Sequence, residues 1–309
     1  MASEGDPLAV TSAAPQADEI PWRSADASHT DLAPRRVRLI GPPRFSVKTV
    51  FVGIRTLFQY GDLLYALSAF RLKVRYKQSM LGWLWAALQP VALMGIYTFV
   101  FAHVTQVNTN GVAYPAFVFC GLLPWIFFSG SIASAVHGIV AYPTLLTKMY
   151  FPREIIPLSY LAAGFIDFLI ASIILVGILA HYRVAPTWNL LYVIPILAVL
   201  AGFAASVALF FGAVHVRFRD IGLALPFVLQ IWMFATPVVY SLQAVPQRIR
   251  FVYVLDPVAS AINMFREVVL HGQAPDLYAL GATAGLTIAV LILAYAYFKA
   301  SESAMADLV

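Results

Sequence analysis

The carboxylates between residues 84 and 300 are Glu154, Asp167, Asp220, Asp256, Glu267 and Asp276. Acid–base chemistry needs such groups to converge, and here no two of them share one apolar run. Only Asp167 falls in the middle of an apolar stretch. An acid at that depth marks a functional site or, on the other reading, a hydrogen bond that packs one helix on its neighbour. No Ser-His-Asp order stands out. None of the five lysines follows a glycine, so GxxxxGK[ST] is absent and hydrolysis of a nucleotide by a P-loop is not expected of this chain. The six histidines are scattered singly, and Cys120 stands alone in an apolar run. Neither a metal site nor a cofactor of its own is expected, and Cys120 reads as packing.

The elements that would position these groups are set by composition. The chain is 61% hydrophobic and 11% charged over 309 residues, with mean hydropathy +0.80. A soluble domain carries about 25% charged residues, so an all-α polytopic membrane protein is expected. The net charge of +5 fits cations beside membrane spans rather than a nucleic-acid partner. Residues 1–45, rich in Ala, Pro, Ser and Asp, read as a disordered cytoplasmic tail with no signal peptide.

An interface-helix region is expected over 46–81, first as a short surface helix and then as a second helix from Asp62, the expected N-cap. Leu63, Leu64, Leu67, Phe70 and Val74 form an apolar stripe. Arg71, Lys73, Arg75 and Lys77 follow within seven residues, then Trp83 and Trp85. That order describes a helix lying on a membrane surface before the chain enters the bilayer. Six spans are expected over 82–300: about 82–104 with a kink at Pro90, 116–140 made irregular by Gly121 and Pro124, 155–180, 190–214, 223–240 and 277–298. Residues 301–309 read as a second cytoplasmic tail. Nine cations on the N-terminal side of the membrane against four on the other place both termini in the cytoplasm.

Three segments between spans are informative. Residues 142–157, YPTLLTKMYFPREIIP, are punctuated by prolines and suit either transmission of force from a docked partner or a plain connection. In HVRFRDIG, Arg217, Arg219 and Asp220 either dock a partner or pair locally, with the local salt bridge the simpler outcome. Residues 245–272 hold two apolar pieces meeting at Asp256-Pro257. They read equally as a re-entrant pair or as two surface helices.

Taken in order, RYKQSMLGWLWAALQP, KMYFPREIIPLS, VRFRDIG, TPVVYSLQAVP and LDPVASAINMFREVVLHG resemble the membrane subunit of ABC type-2 polysaccharide exporters, over roughly residues 50–300. The resemblance implies a homodimer working with two copies of a separate ATPase, which holds the ATP and Mg. It implies six spans, an N-terminal interface helix, and external gate helices at 245–272, including Asp256, Pro257, Arg266 and Glu267. The re-entrant reading is thereby favoured. Lys148, Met149, Tyr150, Phe151, Arg153 and Glu154, with Arg217, Arg219 and Asp220, would couple to the ATPase. The cargo would be an undecaprenyl-diphosphate-linked glycan, O-antigen or similar, crossing the bacterial inner membrane. Arg71, Lys73, Arg75 and Lys77 would attract its diphosphate or simply anchor the chain. Tyr97, Phe101, Trp125, Phe128, Trp232, Phe234 and Tyr240 would line the channel, since aromatic faces accept the C–H faces of sugars; packing between helices is the alternative. Export of a small lipid or drug is a second reading. A lipid-linked glycosyltransferase is a third, disfavoured by the absence of charge in the loop 106–114.

Overall fold

The computed structural model describes residues 59–77, 79–103, 111–141, 151–249, 253 and 255–308. The expected tail over 1–45, most of the first surface helix, and Lys148, Met149 and Tyr150 lie outside these residues.

Apolar runs long enough to cross a bilayer form helices because hydrocarbon offers their amides no partner but the chain itself. The described helices are α1 (Gly61–Tyr76), α2 (Leu84–His103), α3 (Tyr114–Ala141), α4 (Ile155–His181), α5 (Val193–Arg217, entered through a 3₁₀ turn at Trp188–Tyr192), α6 (Asp220–Ala235), α7 (Pro257–Leu270) and α8 (Leu277–Leu308). No strand occurs among the described residues. The helices α2, α3, α4 and α8, and α5 with its leading turn, are long and apolar enough to span. The shortest of the expected spans is α6, with 16 residues, about 24 Å of helix.

Several boundaries differ from expectation for local reasons. The span expected over 223–240 ends at Ala235 because Pro237 forces Thr236 to the extended ψ of 140°. Gly121 and Pro124 do not interrupt α3, which is continuous over 28 residues. Asp62 lies in the first turn of α1 rather than capping it, where its charge still favours the helix dipole. The last helix continues past the expected end at Phe298 to Leu308.

The core forms around α3. Most of α3 is buried, whereas α2 and α8 are largely exposed. Phe128 stacks on Phe203 of α5 at 5.9 Å and meets Trp232 of α6 edge-on at 5.3 Å. Successive spans run in alternate directions, so one end of the bundle holds the starts of α4 and α6 with the ends of α3, α5 and α8. The other end holds α7.

Asp256 starts α7 as its N-cap, accepting from the Val258 amide at 3.0 Å, and Pro257 fills the first turn. Arg266 of α7 is 4% exposed and pairs with no acid among the described residues. It donates instead to the carbonyls of Pro237 at 2.6 Å, Phe117 at 3.2 Å and Val238, and lies over the Phe117 ring at 3.9 Å. Gly121 makes this possible, because a Cβ there would strike the guanidinium and the Val238 carbonyl.

Gly121→Ala should therefore destabilise the purified chain by about 1–3 kcal/mol, the cost of overpacking, and so lower its Tm. Gly281→Ala, which meets nothing within 4 Å, should not. Equal melting of the two variants would contradict this packing.

Candidate functional site

Chemistry-bearing residues gather at three places. The first joins α1 to α4. On α1 the side turned to the bundle is Ser68, Arg71 and Leu72, while Phe70 and Val74 are half exposed. Part of its apolar stripe thus faces outward, as expected of a helix at a membrane surface, while Arg71 and Ser68 turn toward protein. This orientation suits lipid, where apolar side chains meet hydrocarbon and buried cations need protein partners.

The Arg71 Nε donates to Ser159 Oγ at 2.7 Å, and its guanidinium stacks 3.5 Å from the Tyr160 ring centre. Arg75 pairs with Asp167, which also accepts from the Tyr76 hydroxyl at 2.7 Å. Burial, followed by Asp167, pushes the Tyr76 phenol up to about 12, so it remains a donor at neutral pH. Asp167 is therefore occupied in helix packing. Tyr76 also stacks on Trp83 at 4.7 Å, closing the turn into α2. Lys73 and Lys77 are exposed. Beside these contacts lies a cavity of about 520 Å³ lined by polar Gln89, Ser129 and Ser134 as well as Arg75, Tyr76 and Asp167.

The second place is the end of the bundle where α4 begins. Glu154 is 1% exposed. It accepts from Tyr295 Oη at 3.1 Å and from Lys299 Nζ at 2.8 Å. Arg153 Nη1 donates to the Glu302 carbonyl at 2.6 Å. Tyr295 and Glu302 were not legible as partners, since more than 140 residues separate them from 153–154.

At the same end, Arg217, Arg219 and Asp220 are exposed, and the local salt bridge expected among them does not form among the described residues. His215 explains their presentation. Its Nδ1 accepts from the Gly222 amide at 3.1 Å, which fixes the turn so that the charged side chains project outward.

The third place is the opposite end. Asp256 Oδ2 accepts from Trp232 Nε1 at 3.1 Å and Thr236 Oγ1 at 2.9 Å, tying the end of α6 to α7. Tyr240 donates to the Phe234 carbonyl at 2.9 Å and lies 3.2 Å from the Tyr253 hydroxyl. Glu267 accepts from Asn263 at 2.9 Å. Of the aromatic residues expected along a channel, Phe234 is 50% exposed and Tyr97, Phe101, Trp232 and Tyr240 are half buried. Trp125 and Phe128 are enclosed in the core at 4% and 0%. They pack there because α3 is surrounded by other helices.

Apolar helices crossed by a few internally paired charges, with charged turns at one end, define a multi-pass membrane protein. Residues 62–270 match the ABC-2 type transporter family, and the chain belongs to it. It is 30% identical over 256 residues to the O-antigen export system permease protein RfbA of Myxococcus xanthus, covering 82% of this chain and 98% of that one. A protein of the same name from Klebsiella pneumoniae is 30% identical over 68% of this chain and 81% of its own length. The polysialic acid transport protein KpsM of Escherichia coli is 23% identical over 76% of this chain and 91% of its own.

If Arg75 and Asp167 act as a pair, Arg75→Ala and Asp167→Asn should each speed amide hydrogen exchange in α1. The double variant should do little more than either alone, giving a coupling of about 0.5–3 kcal/mol. Additive effects would contradict the pairing.

Proposed function

We propose that this chain is the channel-forming membrane subunit of an ATP-driven exporter of undecaprenyl-diphosphate-linked polysaccharide, of the O-antigen type, in a bacterial inner membrane. It works as a homodimer with two copies of a separate ABC ATPase, which binds the ATP and Mg. Both termini are cytoplasmic. The observation that carries this reading is the match over 98% of an O-antigen export permease; a polysialic acid transporter among the relatives supports a glycan cargo.

The site residues take roles consistent with that function. Exposed Arg217, Arg219 and Asp220, together with Lys148, Met149, Tyr150 and Phe151, form the ATPase docking surface. Arg153 and Glu154 lie behind it and act through their internal partners. The exposed apolar faces of α2 and α6, which include Ile96, Phe99, Phe227 and Ile231, face the second protomer and the path between the two. Tyr97, Phe101, Trp232, Phe234 and Tyr240 offer rings to the sugar chain, and Trp125 and Phe128 back that wall. Lys73 and Lys77 attract the diphosphate, while Arg71 and Arg75 hold α1 in place. On the external side α7 is the re-entrant gate element, with Asp256 and Pro257 fixing its start, and Arg266 and Glu267 lying along it.

The purified chain alone should hydrolyse no ATP and should co-purify with a soluble P-loop ATPase. Reversing the exposed charges, as Arg219→Glu with Asp220→Lys, should weaken that association at least tenfold without altering membrane insertion. ATP hydrolysis by the isolated chain, or undiminished association of the variant, would overturn the assignment.

A further inference from the structure

We propose that α8 is the rod that carries ATP-driven displacement from one face of the membrane to the other, and that Tyr295 and Lys299 are the positioning residues that grip the coupling segment. The inference rests on the exporter reading above.

Residues 153–154 stand directly before α4, at the end of the bundle that carries the exposed charges. Neither of their charged side chains is free. Both oxygens of the buried Glu154 carboxylate are engaged from α8, by Tyr295 at 3.1 Å and Lys299 at 2.8 Å. Arg153 reaches the Glu302 carbonyl at 2.6 Å, and Lys299 also holds the Glu302 carboxylate at 3.1 Å. Tyr295, Lys299 and Glu302 recur at four- and three-residue spacing, so one face of α8 holds the segment at successive turns. A carboxylate buried to this degree is strongly held, because removing its cation leaves an uncompensated charge. Movement of residues 153–154 therefore moves α8 with it.

The shaft suits transmission. Pro90, Pro124 and Pro226 lie inside α2, α3 and α6, and each removes an internal hydrogen bond where a helix can bend. No proline occurs in α8. From Lys299 back to Leu277 it rises about 33 Å, comparable with the roughly 30 Å of hydrocarbon. At that far end α8 packs against α7, whose Asp256 cap holds Trp232 and Thr236 at the end of α6. One stiff helix thus joins the coupling segment to the element at the opposite end of the bundle.

The test uses the complex of this chain with its ATPase in proteoliposomes and has two readouts. The first is glycan exported per ATP hydrolysed. The second is the rate at which a cysteine at the exposed position 247, introduced as Gln247→Cys, reacts with a membrane-impermeant maleimide with and without ATP; the native Cys120 is buried. Lys299→Met should lower export per ATP at least fivefold and abolish the ATP-dependent change in labelling. Lys299→Arg should retain both, and Tyr295→Phe should fall between. Because Lys299→Met strands a buried carboxylate, Glu154→Leu with Lys299→Met supplies a clamp-free chain with no buried charge. It should remain monodisperse and be equally uncoupled. Wild-type export per ATP in that double variant, or an unchanged ATP-dependent labelling response, overturns the rod. Absence of glycan export by the unmodified complex overturns the exporter reading instead, and the labelling readout still decides the rod.

Discussion

Arg266 shows the constraint on which the molecule depends. Hydrocarbon supplies neither water nor counter-ions, so each charge taken into the bundle must be satisfied by groups that other helices bring to it. Arg266 meets this requirement with the carbonyls of Pro237 and Val238, just past the end of α6 at Ala235, and with the Phe117 carbonyl on α3. The break in α6 and the buried cation on α7 are therefore complementary: the interrupted helix exposes acceptors, and the guanidinium consumes them. The other internal charges obey the same rule. Arg75 is answered by Asp167, Arg71 by Ser159 and the Tyr160 ring, and Glu154 by Lys299 and Tyr295. Each pair joins two helices that would otherwise meet only through apolar side chains, which lipid separates as readily as it joins.

The position of α1 follows. Its cations invite a picture of a helix floating at the headgroups, held by anionic lipid. Its geometry is that of a helix docked by its polar edge on α4, with Arg75 and Tyr76 reaching an acid twelve residues beyond the start of that span. The other two cations of the cluster, Lys73 and Lys77, are exposed. A cavity beside the dock, mostly apolar but reached by Gln89 and Ser134, opens next to this joint.

Much of the architecture was legible in the sequence because it depends on local composition. Apolar runs located the long helices, though not the ends at Ala235 and Leu308, and Asp256-Pro257 announced the start of α7 through cap chemistry. The resemblance of ordered motifs to export permeases anticipated the family that residues 62–270 match. Pairings were not legible. Glu154 and Lys299 are 145 positions apart, and nothing in either neighbourhood specifies the other. That α1 docks on α4 through Arg71 and Arg75 was not legible, because Ser159 and Asp167 lie about ninety positions away and nothing near α1 specifies them. Trp125 and Phe128 have the same composition signal as exposed aromatics such as Phe234, and only the central place of α3 distinguishes them.

The central claim is that this chain provides the path and a separate ATPase provides the energy. It is tested most directly by reconstituting the chain with its ATPase in liposomes loaded with a lipid-linked glycan and following ATP-dependent appearance of that glycan on the opposite leaflet. The account predicts translocation only when both proteins and hydrolysable ATP are present. Translocation by either protein alone, or an ATP-consuming complex that moves no glycan, would contradict it.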